Sequence, residues 1–243
     1  MNNRLQQICE GFVDNGRVIR ENFVWNDTYL YPLISMMYTL NNRKVNTIDL
    51  RDCKGLIIKE STMLAGIRGM SNMAWTARLA QYEHPRTSID QIHDIYGMLR
   101  EEFKTCQNLA NVAFQLFELC DRDCYENVIQ RTQNIYKMTK QSHPMLNSND
   151  HLSYIVLLAL SDKEEEKIVE EIEQCLELLM EQYSYTNGVQ ALSLVLALGQ
   201  ESCESRVWKS IAIYEELLHR RLKIGKGLEL ASIGVATFFL IRN

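Results

Sequence analysis

The sequence contains one pair of cysteines, Cys120 and Cys124, whose spacing could place two thiols side by side near a helix end. A structural zinc ion needs four ligands, and no second Cys or His pair with suitable spacing follows. Motifs for a nucleophilic serine, such as GxSxG, are absent, and so are the glycine-rich loops that bind phosphates. We therefore expect neither a bound metal nor a cofactor.

His93-Asp94 is the dipeptide used by helical metal-dependent phosphohydrolases. Such a site also needs an upstream His and a downstream Asp on neighbouring helices, and His84 is too close in sequence to be that upstream His. The surrounding residues alternate between isoleucine and polar side chains in helical spacing. We interpret His93-Asp94 as part of a solvent-facing helix surface.

Asn149-Asp150 followed by Ser153 matches the start of a magnesium-binding NDxxSxxxE pattern, in which three oxygen ligands share one helix face. Leu157 occupies the position of the required Glu, and no aspartate-rich partner motif occurs. We therefore interpret Asp150 as a helix cap.

Five residues remain as candidates for a binding site: Arg68 in the loop sequence AGIRGM, His143 in SHPMLN, and Tyr96, Tyr136 and Tyr214. The three tyrosines recur at equivalent positions of the sequence repeat described below. They could form a row of aromatic rings that binds a ligand. The alternative, which we favour, is that each packs between adjacent helices with its hydroxyl reaching water.

Composition limits the class of protein. Only 11 Gly and 3 Pro occur in 243 residues, which leaves few turn signals for many short strands and favours an all-α chain. A net charge of −5 without a basic block argues against a nucleic-acid partner. No leader or membrane-spanning run is found, and seven cysteines without a framework fit free thiols, so we expect a soluble, cytoplasmic protein.

A period of about forty residues runs through the chain. The ends of successive apolar segments fall at Leu40, Ala80, Cys120, Leu160 and Leu198. A fixed period of this size, with two helices in each unit, is typical of helical-repeat arrays, in which stacked units share a continuous core. We therefore predict one helical-repeat domain over residues 1–243, an α-solenoid, with a closed α/α toroid as the alternative.

Six helical hairpins account for the period. The predicted pairs of helices are 3–22 with 28–40, 48–59 with 71–80, 89–103 with 109–120, 125–140 with 151–160, a helix after Ser161 with 189–198, and 205–222 with 228–240.

Capping residues set the predicted boundaries. Ser161 with Glu164 forms a capping-box pattern for the fifth hairpin, and Asn187-Gly188 is predicted to be a turn inside it. Asn46 or Thr47, Thr87 or Ser88, and Asp123 with Glu126 are the caps predicted for earlier helices.

Taken whole, the chain resembles a bacterial family known only as a domain of unknown function, number four thousand and three. The resemblance is carried by LQQICEGFVDNGRVIRENFVWNDTYLYPL at residues 5–33, GIRGM, HPMLNSND and LSLVLALG. It extends from end to end. These are packing and loop patterns, so the resemblance implies no catalytic or binding residue.

Two functions follow from this architecture. The first is a non-enzymatic scaffold that binds a protein or peptide partner, because helical arrays present extended surfaces. The alternative is a small-molecule-binding or enzymatic toroid with a central cavity. The last predicted helix is apolar at Ile233, Val235, Phe238, Phe239 and Leu240, so we also expect a possible homo-oligomer through this helix.

Overall fold

The computed structural model describes residues 3–23, 28–60, 70–103, 108–142 and 148–239. In these ranges it contains α-helices, one short 3₁₀ helix at Arg122–Cys124 and no strand, which confirms the all-α class there. The helices are α1 (Asn3–Asn22), α2 (Leu30–Leu40), α3 (Thr47–Glu60), α4 (Met70–Leu79), α5 (Pro85–Glu102), α6 (Leu109–Leu119), α7 (Tyr125–Ser142), α8 (Ser148–Ala159), α9 (Glu165–Met180), α10 (Asn187–Leu196), α11 (Cys203–His219) and α12 (Leu230–Thr237). In this described part of the chain no helix combines the length and apolar character needed to cross a bilayer.

The chain divides into two compact units, Met1–Phe117 and Glu118–Asn243. Five of the six predicted hairpin pairs pack on each other in the described part of the chain: α1–α2, α3–α4, α7–α8, α9–α10 and α11–α12. The prediction of one repeat domain over residues 1–243 stays a prediction.

In the N-terminal unit the helices α1 to α5 pack on one another. α1 packs against α2 and α3, α3 against α4 and α5, and α4 against α2 and α5. One core cluster takes buried residues from all of the first four helices and the residue after α1. It consists of Ile19, Phe23, Leu30, Ile34, Tyr38, Leu50, Met73 and Ala77. Farther along, Trp75 of α4 stacks on Phe114 of α6 with ring centroids 4.3 Å apart.

In the C-terminal unit the helices form two rows. The hairpin pairs α7–α8, α9–α10 and α11–α12 pack internally, while α9 also packs on α7 and α11, and α10 on α8 and α12. Residues 188–196 of α10 are all buried, as their almost entirely apolar sequence predicts. α9 is amphipathic and buries one face, at Ile168, Ile172, Cys175, Leu176 and Leu179.

The predicted capping box at Ser161 and Glu164 is wrong. The Ser161 hydroxyl donates to the Leu158 carbonyl at 2.6 Å, so it completes the end of α8 instead. α9 begins at Glu165, after Glu164 in extended conformation without a side-chain cap bond. The acidic first turn suits the helix dipole without a capping box.

Several other predicted caps do not lie at the start of their helices, although α7 begins at Tyr125 as predicted. α5 begins at Pro85, whose fixed φ suits the first helical position, so Thr87 and Ser88 lie inside it. Asp123 lies in the 3₁₀ helix before α7, and Asp150 lies inside α8 and is not its cap. The Asn46 cap of α3 is confirmed, because its Oδ1 accepts from the Ile48 N–H at 3.0 Å.

Asn187-Gly188 is not a turn but the start of α10. The Thr186 hydroxyl caps this helix by accepting from the Val189 N–H at 3.2 Å. A Cβ on Gly188 would lie 2.1 Å from the Gly227 carbonyl oxygen. The glycine is therefore required by the close approach of the 226–227 backbone to α10.

Candidate functional site

Two of the predicted binding residues, Arg68 and His143, lie outside the described residues. The three tyrosines lie on three different helices. Tyr96 of α5 is buried, at 7 % exposure. The packing role that we favoured for it stays a prediction.

Tyr136 and Tyr214 are half-buried. The Lys140 ammonium lies 5.7 Å from the centroid of the Tyr136 ring, one helical turn away on α7. Tyr214 of α11 meets Tyr183 edge to face at 5.6 Å and packs against the core of its unit. Each ring therefore has a local packing partner, and the aromatic ladder stays a prediction.

Among the described residues, no three His, Cys, Asp or Glu side chains are grouped so as to hold a metal ion. Cys120 is half-buried and Cys124 exposed, and both are free thiols. Burial, together with the neighbouring Cys124 and Asp121, raises the pKa of the Cys120 thiol to about 11. At neutral pH this thiol is protonated, so it is a weak nucleophile and a weak metal ligand.

A cleft of about 360 Å³ lies between the N-terminal half of α1 and the C-terminal end of α2. The basic residues Arg4, Arg43 and Lys44 line it, with Asp14 as the acidic residue of the lining and Leu40 on the apolar side. This cleft brings together residues that are up to forty positions apart in sequence.

The backbone that carries Arg43 and Lys44 is held by specific bonds. The α2 helix ends in a Schellman motif: Asn42 is left-handed at φ 53°, its N–H donates to the Thr39 carbonyl, and the Arg43 N–H donates to the Tyr38 carbonyl. Asparagine tolerates this conformation better than most residues. The loop therefore leaves α2 in one defined direction.

Buried Asn15 of α1 fixes the same loop from the other side. Its amide donates to the Arg43 carbonyl at 3.0 Å and to the Thr39 hydroxyl at 3.1 Å, and its Oδ1 accepts from the Val45 N–H at 3.0 Å. The Arg43 guanidinium donates in turn to the Gln81 carbonyl. The basic rim of the cleft is thus attached to α1 and to the end of α4.

A second cleft, of about 470 Å³, follows the same pair of helices toward the C-terminal half of α1. Arg17, Arg20 and Glu21 line it, together with Tyr31 of α2. The Arg20 guanidinium lies 6.0 Å from the centroid of the Tyr31 ring. We call the first of these clefts the α1–α2 groove; the second lies on the other flank of α1, across the contact between α1 and α2.

The α1–α2 groove is basic in a chain whose net charge is negative. Its lining contains three cationic side chains and one carboxylate, namely Arg4, Arg43 and Lys44 against Asp14. Asp14 also lies 3.7 Å from Arg17 in an exposed ion pair. Such a groove attracts anionic groups and holds them by charge-assisted hydrogen bonds.

Little in the amino-acid sequence indicates this groove. Arg43-Lys44 directly follows an apolar helix, but Arg4 is an ordinary helix-surface residue in sequence. The packing of Gly11 against Thr39 of α2 shows which face of α1 lies next to the end of α2.

The C-terminal unit contains a buried ionic cluster that is structural. Glu171 Oε2 accepts from Lys163 Nζ at 2.8 Å and from Arg206 Nη2 at 3.0 Å. Burial alone would raise the pKa of Glu171, but the hydrogen bonds from both cations outweigh it and lower the pKa. Both cations also donate to the Gly199 carbonyl, just beyond α10, so the cluster anchors that helix end.

Comparison with protein-family models matches residues 17–242 to a family described as protein of unknown function, DUF4003. No curated protein and no solved structure gives a significant match.

Proposed function

The chain belongs to the DUF4003 family, and we propose that it is a non-enzymatic helical-repeat scaffold that binds a protein or peptide partner. The observation that carries the proposal is the packing in rows: in the C-terminal unit, and among α1 to α4 of the N-terminal unit, helices pack on their hairpin partner and on the equivalent helix of the next hairpin. Helical repeats stack in this way and use the resulting grooves between helices for binding.

The α1–α2 groove supports the same proposal. Two packed helices and the loop at Arg43–Val45, which hydrogen bonds to Asn15 hold in place, form this groove. A partner can therefore bind it without rearranging the backbone. A preformed groove avoids the cost of ordering loops on association. A cytoplasmic location is part of the proposal and is supported by the six described thiols, which are free.

The test is selection of a phage-displayed library of random dodecapeptides on the immobilised full chain, followed by fluorescence anisotropy with the enriched peptides. We expect enriched sequences that bind with one-to-one stoichiometry and compete with one another. A selection that enriches no peptide above the level of an unrelated helical protein would contradict the scaffold proposal.

We further propose that α12 mediates self-association. Val235 of α12 is exposed, as are Phe238 and Phe239 directly after the helix, and Phe239 is 78 % exposed. Burying one large apolar side chain contributes about 1.5–3 kcal/mol, so covering several of them on a second copy favours a dimer.

Light scattering on the wild-type chain and on Phe239→Glu tests this interface. We expect a wild-type dimer that becomes monomeric in the variant, because a carboxylate would have to be buried without a partner. Leu222→Glu, at an exposed leucine outside α12, is the matched control and should stay dimeric. A monomeric wild-type chain at high concentration would show that α12 is not an interface.

A further inference from the structure

We infer that the exposed face of α12 docks on the exposed face of α2 in a second copy of this chain. The inference rests on the proposed self-association through α12 and adds the surface that receives it. Two rows of side chains define the contact, which we call the α2 stripe and the α12 stripe. The α2 stripe is Tyr29, Leu33, Met36 and Leu40, and the α12 stripe is Leu228, Ser232, Val235 and Phe239.

The α2 stripe is an apolar helix face in the N-terminal unit. Its members recur at positions i, i+4, i+7 and i+11, so they lie along one side of the helix. All four side chains are exposed, Leu40 to 65 %. The helix contains no charged residue, and its other side holds the buried residues Leu30, Ile34, Ser35, Tyr38 and Thr39. Single exposed apolar residues are ordinary, but a continuous row of four is typical of an interaction surface.

The α12 stripe repeats the spacing of the α2 stripe. Its members also lie at i, i+4, i+7 and i+11, across α12 and the turns that flank it. Leu228, Val235 and Phe239 are exposed apolar residues, and Ser232 is exposed too. The other side of α12 packs on α10, where a Cβ on Gly234 would lie 2.8 Å from the Val195 side chain. Two helix faces with the same spacing can interdigitate when they are placed side by side.

The packing of α10 on α12 shows how a helix lies beside α12. At the N-terminal ends, a Cβ on Gly188 would lie 2.1 Å from the Gly227 carbonyl oxygen. At the C-terminal ends, a Cβ on Gly199 would lie 3.1 Å from the Phe238 ring. The two helices are therefore parallel, as equivalent helices of stacked hairpins are.

The same parallel arrangement brings the two stripes into register. With α12 of one copy beside α2 of another, Leu228 lies opposite Tyr29 and Phe239 lies opposite Leu40. The small Ser232 then faces Leu33, which leaves room for the larger side chain. Most soluble homo-oligomers have closed symmetry, so we expect the dimer to form when the α12 stripe of each copy meets the α2 stripe of the other.

Charge also favours this pairing. Arg20 is exposed near the N-terminal end of the α2 stripe, with its guanidinium 6.0 Å from the centroid of the Tyr31 ring. Glu229 is exposed at the N-terminal end of the α12 stripe, so the parallel register brings the two charges together. Arg43 and Lys44 follow the other end of α2. Two α2 stripes would therefore place cations against cations in either direction, which disfavours that contact.

A mixing experiment tests the contact, using Leu33→Glu to disable the α2 stripe and Phe239→Glu to disable the α12 stripe. Light scattering should show that each variant alone is monomeric, because a carboxylate would have to be buried without a partner. A mixture of the two variants retains one intact stripe of each kind. We therefore expect it to form a one-to-one dimer that dissociates more readily than the wild-type dimer.

Ile48→Glu is the matched control for Leu33→Glu, because Ile48 is an exposed apolar residue of the same unit that lies outside the stripe. This variant should self-associate like the wild-type chain. Circular dichroism on each variant verifies the fold.

A charge exchange tests the register. Glu229→Arg should weaken self-association by about two- to fivefold, the range for an exposed ion pair, because it places two cations together. Adding Arg20→Glu to the same chain should restore the wild-type dissociation constant, measured by sedimentation equilibrium. A double variant weaker than Glu229→Arg alone would contradict the parallel register.

Failure of this inference differs from failure of self-association through α12. A Leu33→Glu variant that dimerises like the wild-type chain would overturn the inference and leave α12 as an interface that docks elsewhere. Two monomeric variants that stay monomeric when mixed would also overturn it. A wild-type chain that is monomeric at high concentration would contradict self-association through α12 itself.

Discussion

Arg206→Met is expected to lower the free energy of unfolding by about 3–5 kcal/mol, the range for removing one member of a buried ion pair. The Arg206 side chain is 4 % exposed, and its guanidinium bonds Glu171, the carbonyls of Leu196 and Gly199, and the Cys203 sulfur. Methionine keeps most of the aliphatic volume but supplies no donor. The carbonyls at the end of α10 would then be buried without this partner, which carries its own cost.

Urea unfolding followed by circular dichroism measures this loss, with Arg220→Met as the matched control. Arg220 pairs with Glu216 at 2.6 Å, but both side chains are more than half exposed, so we expect little or no change in the free energy of unfolding. Equal, small losses in both variants would show that the buried cluster does not hold α10 in place.

The helices could be predicted from the sequence because their signals are local. The apolar spacing of α9 and the continuous apolar run of α10 each fix an element type without reference to the rest of the chain. The boundaries of the helices were harder to predict. Ser161 fits the sequence pattern of a cap for α9, but its hydroxyl donates to the Leu158 carbonyl at the end of α8. A capping pattern shows which bonds a side chain can make, and the path of the backbone selects among them.

The ionic cluster and the α1–α2 groove could not be predicted for a different reason. Lys163 and Glu171 stand in an acidic run that looks like a solvent-facing helix surface, and Arg206 is separated from them by about forty residues. Charges acquire a structural or binding role only when tertiary packing removes them from water or aligns them. The sequence therefore predicts which helices form, while the pairing of charges depends on which faces meet.

Phe114→Ala is expected to cost about 3–5 kcal/mol of unfolding free energy, the range for truncating a buried phenylalanine. Phe114 is fully buried in α6 and stacks on Trp75 of α4 at 4.3 Å, while the Trp75 indole N–H donates to Asn111 Oδ1 at 2.7 Å. The hydrogen bond holds the indole in position, so Trp75 cannot readily move into the cavity that alanine would leave. The loss should therefore lie at the upper end of the range, and Trp75 emission should change in the folded state.

Trp208→Ala is the control for this truncation, because Trp208 is a larger aromatic residue that is 57 % exposed on α11. Truncating Trp208 should lower the free energy of unfolding by well under half as much as truncating Phe114, because the exposed Trp208 ring buries less apolar surface. A loss for Phe114→Ala no greater than that for Trp208→Ala would show that α4 and α6 do not depend on this stacked pair for their packing.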